Sequence, residues 1–177
     1  MLGVQPSACL QIQEKGFKER ALNEQKVVSP SHPYLSYTDR LASAWYDFLL
    51  LLGRILLGWI FVQSGWSKLW TISTFATGMS NRDVPAFLGY LAPFIEFFGG
   101  LALVLGLATR YSALLVILFT LAATWIAHRY WTMPGPQKTQ NTVQFWKNVS
   151  ILGGLLTVFA VGGGRLSIDR FLRRGAT

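Results

Sequence analysis

The strongest constraint in this sequence is the near absence of charge over four long stretches. Phe48 to Ser67 carries one charge, Arg54, and Ala86 to Ala108 carries one, Glu96. Tyr111 to His128 carries none unless His128 is protonated, and Asn148 to Gly164 carries none, with Val143 to Lys147 leading into it. A bilayer hydrocarbon core of about 30 Å needs roughly 20 mainly apolar residues per helix. All four runs meet that requirement, the last with its leading residues. A water-soluble bundle would need a polar face on every helix. Segments such as Leu101-Ala102-Leu103-Val104-Leu105 and Leu114-Leu115-Val116-Ile117-Leu118-Phe119 are apolar all round. The expected fold class is therefore all-α: an integral membrane bundle of four transmembrane helices at about residues 45–68, 86–108, 110–131 and 143–164. Trp45 at one end of the first run, and Trp66, Trp70, Trp131 and Trp146 at ends meeting the opposite interface, fit the aromatic belts of membrane proteins.

Composition narrows the function classes. Hydrophobic residues make up 51% and charged residues 14%, whereas a soluble domain spends about a quarter of its residues on charge. The net charge of +8 would by itself point to nucleic acid, but beside this apolar content the partner is the lipid bilayer and no nucleic acid is expected. The single cysteine, Cys9, excludes an internal disulfide framework, a multi-cysteine zinc site and a protein-held iron–sulfur cluster. His32 and His128 lie in different environments and do not make a bis-histidine haem pair, so neither metal nor haem is expected. No Walker loop, dinucleotide fingerprint, HExxH or nucleophile elbow is present.

Residues 1–40 form a separate polar arm with mixed charge from Glu14 to Lys26, followed by Ser29-Pro30-Ser31-His32-Pro33. Two readings stand: a polar tail with a short helix over Ala8 to Gln25 that the proline segment ends, or an arm that docks on a partner subunit or the membrane surface. Residues 41–177 form the membrane domain. Four spans place both termini on one side. That side holds seven basic residues near helix ends (Lys26, Arg40, Arg110, Arg165, Arg170, Arg173, Arg174) against five on the other (Lys68, Arg82, Arg129, Lys138, Lys147). The positive-inside rule then favours cytoplasmic termini.

A charge at a helix centre costs about 2.5 to 3.5 kcal/mol on insertion scales, so Arg54 and Glu96 call for an explanation. Counting about 1.5 Å per residue from the ends of their spans places both near the midplane, where they are expected to pair across antiparallel helices. That pair either fixes helix register or does chemistry as a proton relay. Gly58, Gly65 and Lys68 share a side of the first helix with Arg54, and Gly99-Gly100 follows Glu96 by one turn, which marks close-packing faces. Lys68, His128, Lys147 and Asn148 are expected to gather at the outer ends of the helices. Together they offer cationic groups and an amide donor beside an apolar wall, suited to an anion or a quinone head group. Gly162-Gly163-Gly164 reads as a helix stop.

These residues form a pattern. Arg54-Ile55-Leu56-Leu57-Gly58 with Gly65-Trp66-Ser67-Lys68, then Phe94-Ile95-Glu96-Phe97-Phe98-Gly99-Gly100 with Leu105-Gly106-Leu107-Ala108-Thr109-Arg110, resembles the DoxX/DoxD-like family of small four-helix membrane proteins. His128, Lys147-Asn148, Gly153-Gly154 and Gly162-Gly163-Gly164-Arg165-Leu166-Ser167-Ile168-Asp169 continue the likeness, which spans about residues 45 to 170. The resemblance implies a subunit of a quinone-linked oxidoreductase in a prokaryotic cytoplasmic (inner) membrane. DoxD-type members resemble the membrane subunit of thiosulfate:quinone oxidoreductase, working with a small DoxA-type partner. On that implication Arg54 and Glu96 are the catalytic candidates, Lys68, His128, Lys147 and Asn148 bind quinone or a small sulfur anion, and other membrane-complex subunits are partners. The alternatives are a non-enzymatic accessory subunit of an electron-transfer complex, and a small transporter, for which no inverted repeat is visible.

Overall fold

Sequence length and apolar content translate directly into helices. The computed structural model describes residues 33–81 and 84–174. Most of the N-terminal arm, including the helix expected over Ala8 to Gln25, and the loop residue Arg82 lie outside the described residues. The described residues divide into two units between Trp45 and Tyr46. In the first, α1 spans Pro33–Ala44. Pro33 occupies the first position of this helix, where a missing N–H is harmless.

In the second unit, four helices are long and apolar enough to cross a membrane. They are α2 (Tyr46–Trp70), α4 (Ala86–Leu105), α5 (Thr109–Ala127) and α6 (Gly135–Val161). Between α2 and α4 lies a shorter helix, α3 (Ile72–Ser80), and after α6 comes α7 (Ile168–Arg174). No strand occurs among the described residues. The outward faces carry large apolar side chains such as Leu56, Trp59, Leu118 and Leu156, all more than half exposed. Such a surface is at home in lipid and not in water.

Helix ends follow local chemistry. Gly106 adopts a left-handed conformation (φ 68°), and the N–H groups of Gly106 and Leu107 bond the carbonyls of Leu103 and Ala102, a Schellman stop for α4. Gly162 ends α6, as its glycine run predicts. The start of α6 lies before the expected residue 143, because Pro134 and Pro136 suit a helix entrance and the polar residues that follow extend the helix beyond its apolar span.

Small residues set the packing. A Cβ on Gly58 would lie 2.8 Å from the Gly100 carbonyl oxygen, and one on Gly65 would meet the Phe97 backbone at 2.5 Å. α2 and α4 thus touch backbone to backbone, on the face that the Arg54, Gly58, Gly65 and Lys68 spacing predicts. Phe61, Leu103, Ala113, Val116, Ile117, Leu155 and Val158 form the buried core beside them. Buried hydroxyls on α5 stay satisfied within helices: Thr120 donates to the Val116 carbonyl, and Thr124 to that of Thr120. α3 is held against α4 where Ala76 packs on Gly89.

Candidate functional site

The α2–α4 contacts fix an antiparallel register, and this register decides which charges meet. Glu96 lies level with Gly65 and Trp66, roughly 16 to 18 Å along the helix from Arg54 at 1.5 Å per residue. The expected Arg54–Glu96 pair is therefore absent. Glu96 instead takes Lys68 as its partner, at 2.6 Å. The reason is stagger: α4 begins beyond the end of α2, with its first turns against α3, so the span ends do not mark equal depths.

Lys68 stands in the last turn of α2, where a cation suits the helix dipole. Its side chain is 29% exposed and that of Glu96 only 7%, so the carboxylate is sunk in protein and the lysine is partly open. The Lys68 Nζ also lies 5.3 Å from the centre of the Phe75 ring on α3, a cation–π distance. Both groups border a cavity of about 370 Å³ between α3, α4 and α5. Its walls are apolar, from Phe75 and Met79 on α3 to Ile95 on α4 and Phe119 and Ile126 on α5. Lys68 and His128 are the polar residues that line it.

His128 ends α5, and its Nδ1 lies 3.0 Å from Asn141 Oδ1 on α6. Asn141 donates its Nδ2 hydrogen to the Gln137 carbonyl, so its oxygen is the atom turned to the imidazole and Nδ1 carries the hydrogen. In the neutral ring, Nε2 is then left as an acceptor. The ring was expected to act as a donor or cation; the Asn141 contact reverses that role for its neutral form.

The other two expected binding residues sit elsewhere. Asn148 donates to Thr124 Oγ1 at 2.8 Å within the α5–α6 interface. Lys147 is exposed on α6, and neither residue lines the cavity. Expected binding residues thus divide into Lys68 and His128 at the cavity, and Lys147 and Asn148 away from it. Phe75, Met79 and Asn141 were missed. A signal existed for α3, since Ile72, Phe75, Ala76 and Met79 follow the i, i+3, i+4, i+7 pattern of an amphipathic helix; none existed for Asn141.

Arg54 belongs to a second cluster, at the opposite end of the bundle. It is 1% exposed, its Nη2 donates to the Leu166 carbonyl, and its Nε and Nη1 have no hydrogen-bond partner among the described residues. Around it the segment after α6 ties the helices together. Arg165 N–H donates to Asp47 Oδ1 at 2.8 Å. Asp169 accepts the N–H groups of Ala108 (2.6 Å) and Thr109 (2.8 Å) and the Thr109 hydroxyl (2.7 Å). Ala108, at φ 45°, offers no side-chain cap of its own, so Asp169 caps α5 from 60 residues away. Burial pushes the Asp169 carboxyl up, but the Thr109 and Ala108 hydrogen bonds and the charge of Arg173 outweigh it and hold it below the usual carboxylate range.

With this geometry in view, comparison with known proteins places the chain. The DoxX family model matches residues 49–129. The inner membrane protein YphA of Escherichia coli K12 is 36% identical over 134 residues, covering 71% of this chain and 96% of that protein. The chain belongs to the DoxX family. A second E. coli relative, the inner membrane protein YqjF, is 34% identical over 128 residues, covering 72% of this chain and 95% of its own length. The ER-derived vesicles protein ERV29 of Saccharomyces cerevisiae is 25% identical over 122 residues, 69% of this chain but 33% of that protein. No solved structure matches. The DoxX match covers Arg54, Lys68, Glu96 and His128 and stops before Asn141 and Asp169.

Proposed function

We propose that this DoxX protein is the membrane subunit of a quinone-linked oxidoreductase, with the quinone ring held in the cavity between α3, α4 and α5. The observation that carries this reading is an apolar cavity of about 370 Å³ with Lys68 and His128 at its rim. Ligand pockets of this kind are mostly apolar, with a few polar groups fixing orientation. When bound, the quinone supplies a two-electron, two-proton acceptor. Lys68 bonds Glu96 through one N–H and holds a ring oxygen with another, since an ammonium has three. His128 takes a proton from a ring hydroxyl at Nε2 or returns one, its Nδ1–H being engaged by Asn141. Glu96 steers the ammonium from behind, and the apolar walls exclude water. Following the family resemblance, the electrons come from a small sulfur anion such as thiosulfate, through a partner subunit. Arg54 lies outside this proton path. The basic residues at the end bearing the C-terminus support cytoplasmic termini; cysteines introduced at Lys138 and Arg174, alkylated from either side of the membrane, check this.

The test is quinone content. Protein purified in mild detergent is expected to carry quinone close to stoichiometrically by native mass spectrometry with solvent extraction, and Lys68→Met and His128→Ala to lose it. Quinone-free wild-type protein that also fails to bind added quinone rules the reading out. One observation favours the accessory-subunit reading: α6 is both the least apolar and the least buried of the four spans, as expected of a helix covered by another membrane subunit. A complex that falls apart with Gly153→Leu, with quinone held only in other subunits, would establish that role.

A further inference from the structure

The cavity has a property that its volume does not reveal: its charges cancel. Lys68 is the cationic side chain at its rim, and the Glu96 carboxylate lies 2.6 Å from the ammonium. Nearly all of the remaining lining is hydrocarbon. A dianion entering such a space loses its hydration and meets a cation already neutralised, which is the costly way to bury a charge. An uncharged ring with oxygen atoms at its edge avoids that cost. It meets a Lys68 N–H beyond the one engaged by Glu96 and, in neutral His128, an acceptor at Nε2.

We propose that the cavity is selective for uncharged, ring-bearing ligands with a hydroxyl or carbonyl edge, and that Glu96 is the residue that closes it to anions. The proposal rests on the cavity being the ligand site of the quinone reading. It assigns Glu96 to specificity: the carboxylate consumes the positive charge that a sulfur anion would need. An anionic electron donor therefore does not share this cavity with the quinone.

A matched pair of probes tests this: 2-methyl-1,4-naphthoquinone, which is neutral, and 1,4-naphthoquinone-2-sulfonate, which keeps the ring and adds a negative charge. Binding of each to the full chain in detergent is measured by equilibrium dialysis. An Ala123→Phe variant, which fills the cavity, gives the micelle background. Wild type is expected to bind the neutral ring saturably and the sulfonated ring at least tenfold more weakly. Glu96→Gln, with the Lys68 charge unmasked, is expected to narrow or invert that ratio, and thiosulfate is then expected to compete. Glu96→Asp, which keeps a carboxylate for Lys68, is expected to keep the preference for the neutral ring. Saturable sulfonate or thiosulfate binding to wild type that Ala123→Phe abolishes overturns the inference and leaves the quinone reading standing. Selective binding of the neutral ring, in protein that carries no native quinone and reduces none, supports the inference and removes the oxidoreductase reading. Should Glu96→Gln fail to fold, the two probes on wild type decide the selectivity and Glu96→Met, expected to shift the ratio the same way, decides the role of Glu96.

Discussion

The two ends of this bundle use the same materials to opposite effect. At the end bearing the C-terminus, Asp47, Arg54, Arg110 and Asp169 are each tied to backbone: Asp47 to the Arg165 amide, Arg54 to the Leu166 carbonyl, Arg110 to the Ala160 carbonyl and Asp169 to the start of α5. At the other end, Lys68 and Glu96 bond each other, and Lys68 borders open space. Charges that bond backbone hold helices in place, whereas Lys68, paired with Glu96 at a cavity rim, keeps N–H groups for a ligand while its net charge is cancelled. The difference separates Arg54, tied to a helix joint, from Lys68, at a cavity rim, although on sequence both look like lone cations on one face of one helix.

Substitutions that break the closed end are expected to have the largest effects. Gly106→Val forces a branched side chain into a left-handed position and against Arg54 and Ser167, with an expected loss of about 3 kcal/mol or more in reversible unfolding. Asp169→Ala removes a cap and its charge-assisted hydrogen bonds and is expected to lose about 2 to 3 kcal/mol. Because the Asp169 carboxyl titrates below its ordinary value, its contribution is complete above the unfolded value of about 3.9 and disappears as pH falls through the lower folded one. Unfolding temperatures between pH 5 and 2 are expected to fall less steeply in Asp169→Asn than in wild type.

Changes at the open end are expected to act on binding more than on stability. Lys68→Met leaves Glu96 buried without its partner and is expected to lose about 1 kcal/mol, discounted because the lysine is partly exposed. Adding Glu96→Gln is expected to return part of that, a non-additivity that a double-mutant cycle reads directly. Asn141→Ala is expected to change stability by less than about 0.5 kcal/mol. It frees the His128 tautomer and is expected to weaken binding of the neutral naphthoquinone several-fold. Lys147→Ala, on a side chain outside the cavity, is expected to change neither quantity. A binding loss there as large as that of Lys68→Met would erase the contrast between residues that line the cavity and those that do not.

The parts of this molecule legible in its sequence are those set by periodicity and run length. The four spans, the Gly58 and Gly65 packing face, the stop at Gly162 and the presence of Lys68 and His128 at one end all follow from local pattern. The pairing of charges does not, since it depends on the stagger of α2 against α4. A stagger set by where glycines allow backbones to touch is invisible when each helix is counted from its own ends. The cap on α5 was hidden for a related reason. Ala108 and Thr109 lack a local acidic cap, and nothing near them indicates that Asp169 supplies it from beyond α6. The cavity needed α3, whose four apolar positions were present but belonged to a segment too short to register as a span.

The long-range cap also bears on how the protein is made. The turn between α4 and α5 leaves the ribosome with the N–H groups of Ala108 and Thr109 unsatisfied, and the acceptor for them is encoded 60 residues later. Until Asp169 emerges and crosses to that turn, the α4–α5 hairpin sits in the membrane with one end unfinished and Arg54 without its Leu166 carbonyl. A nascent chain halted after Val161 has all four spans and the α2–α4 packing but lacks the Arg165, Leu166 and Asp169 contacts that tie this end together.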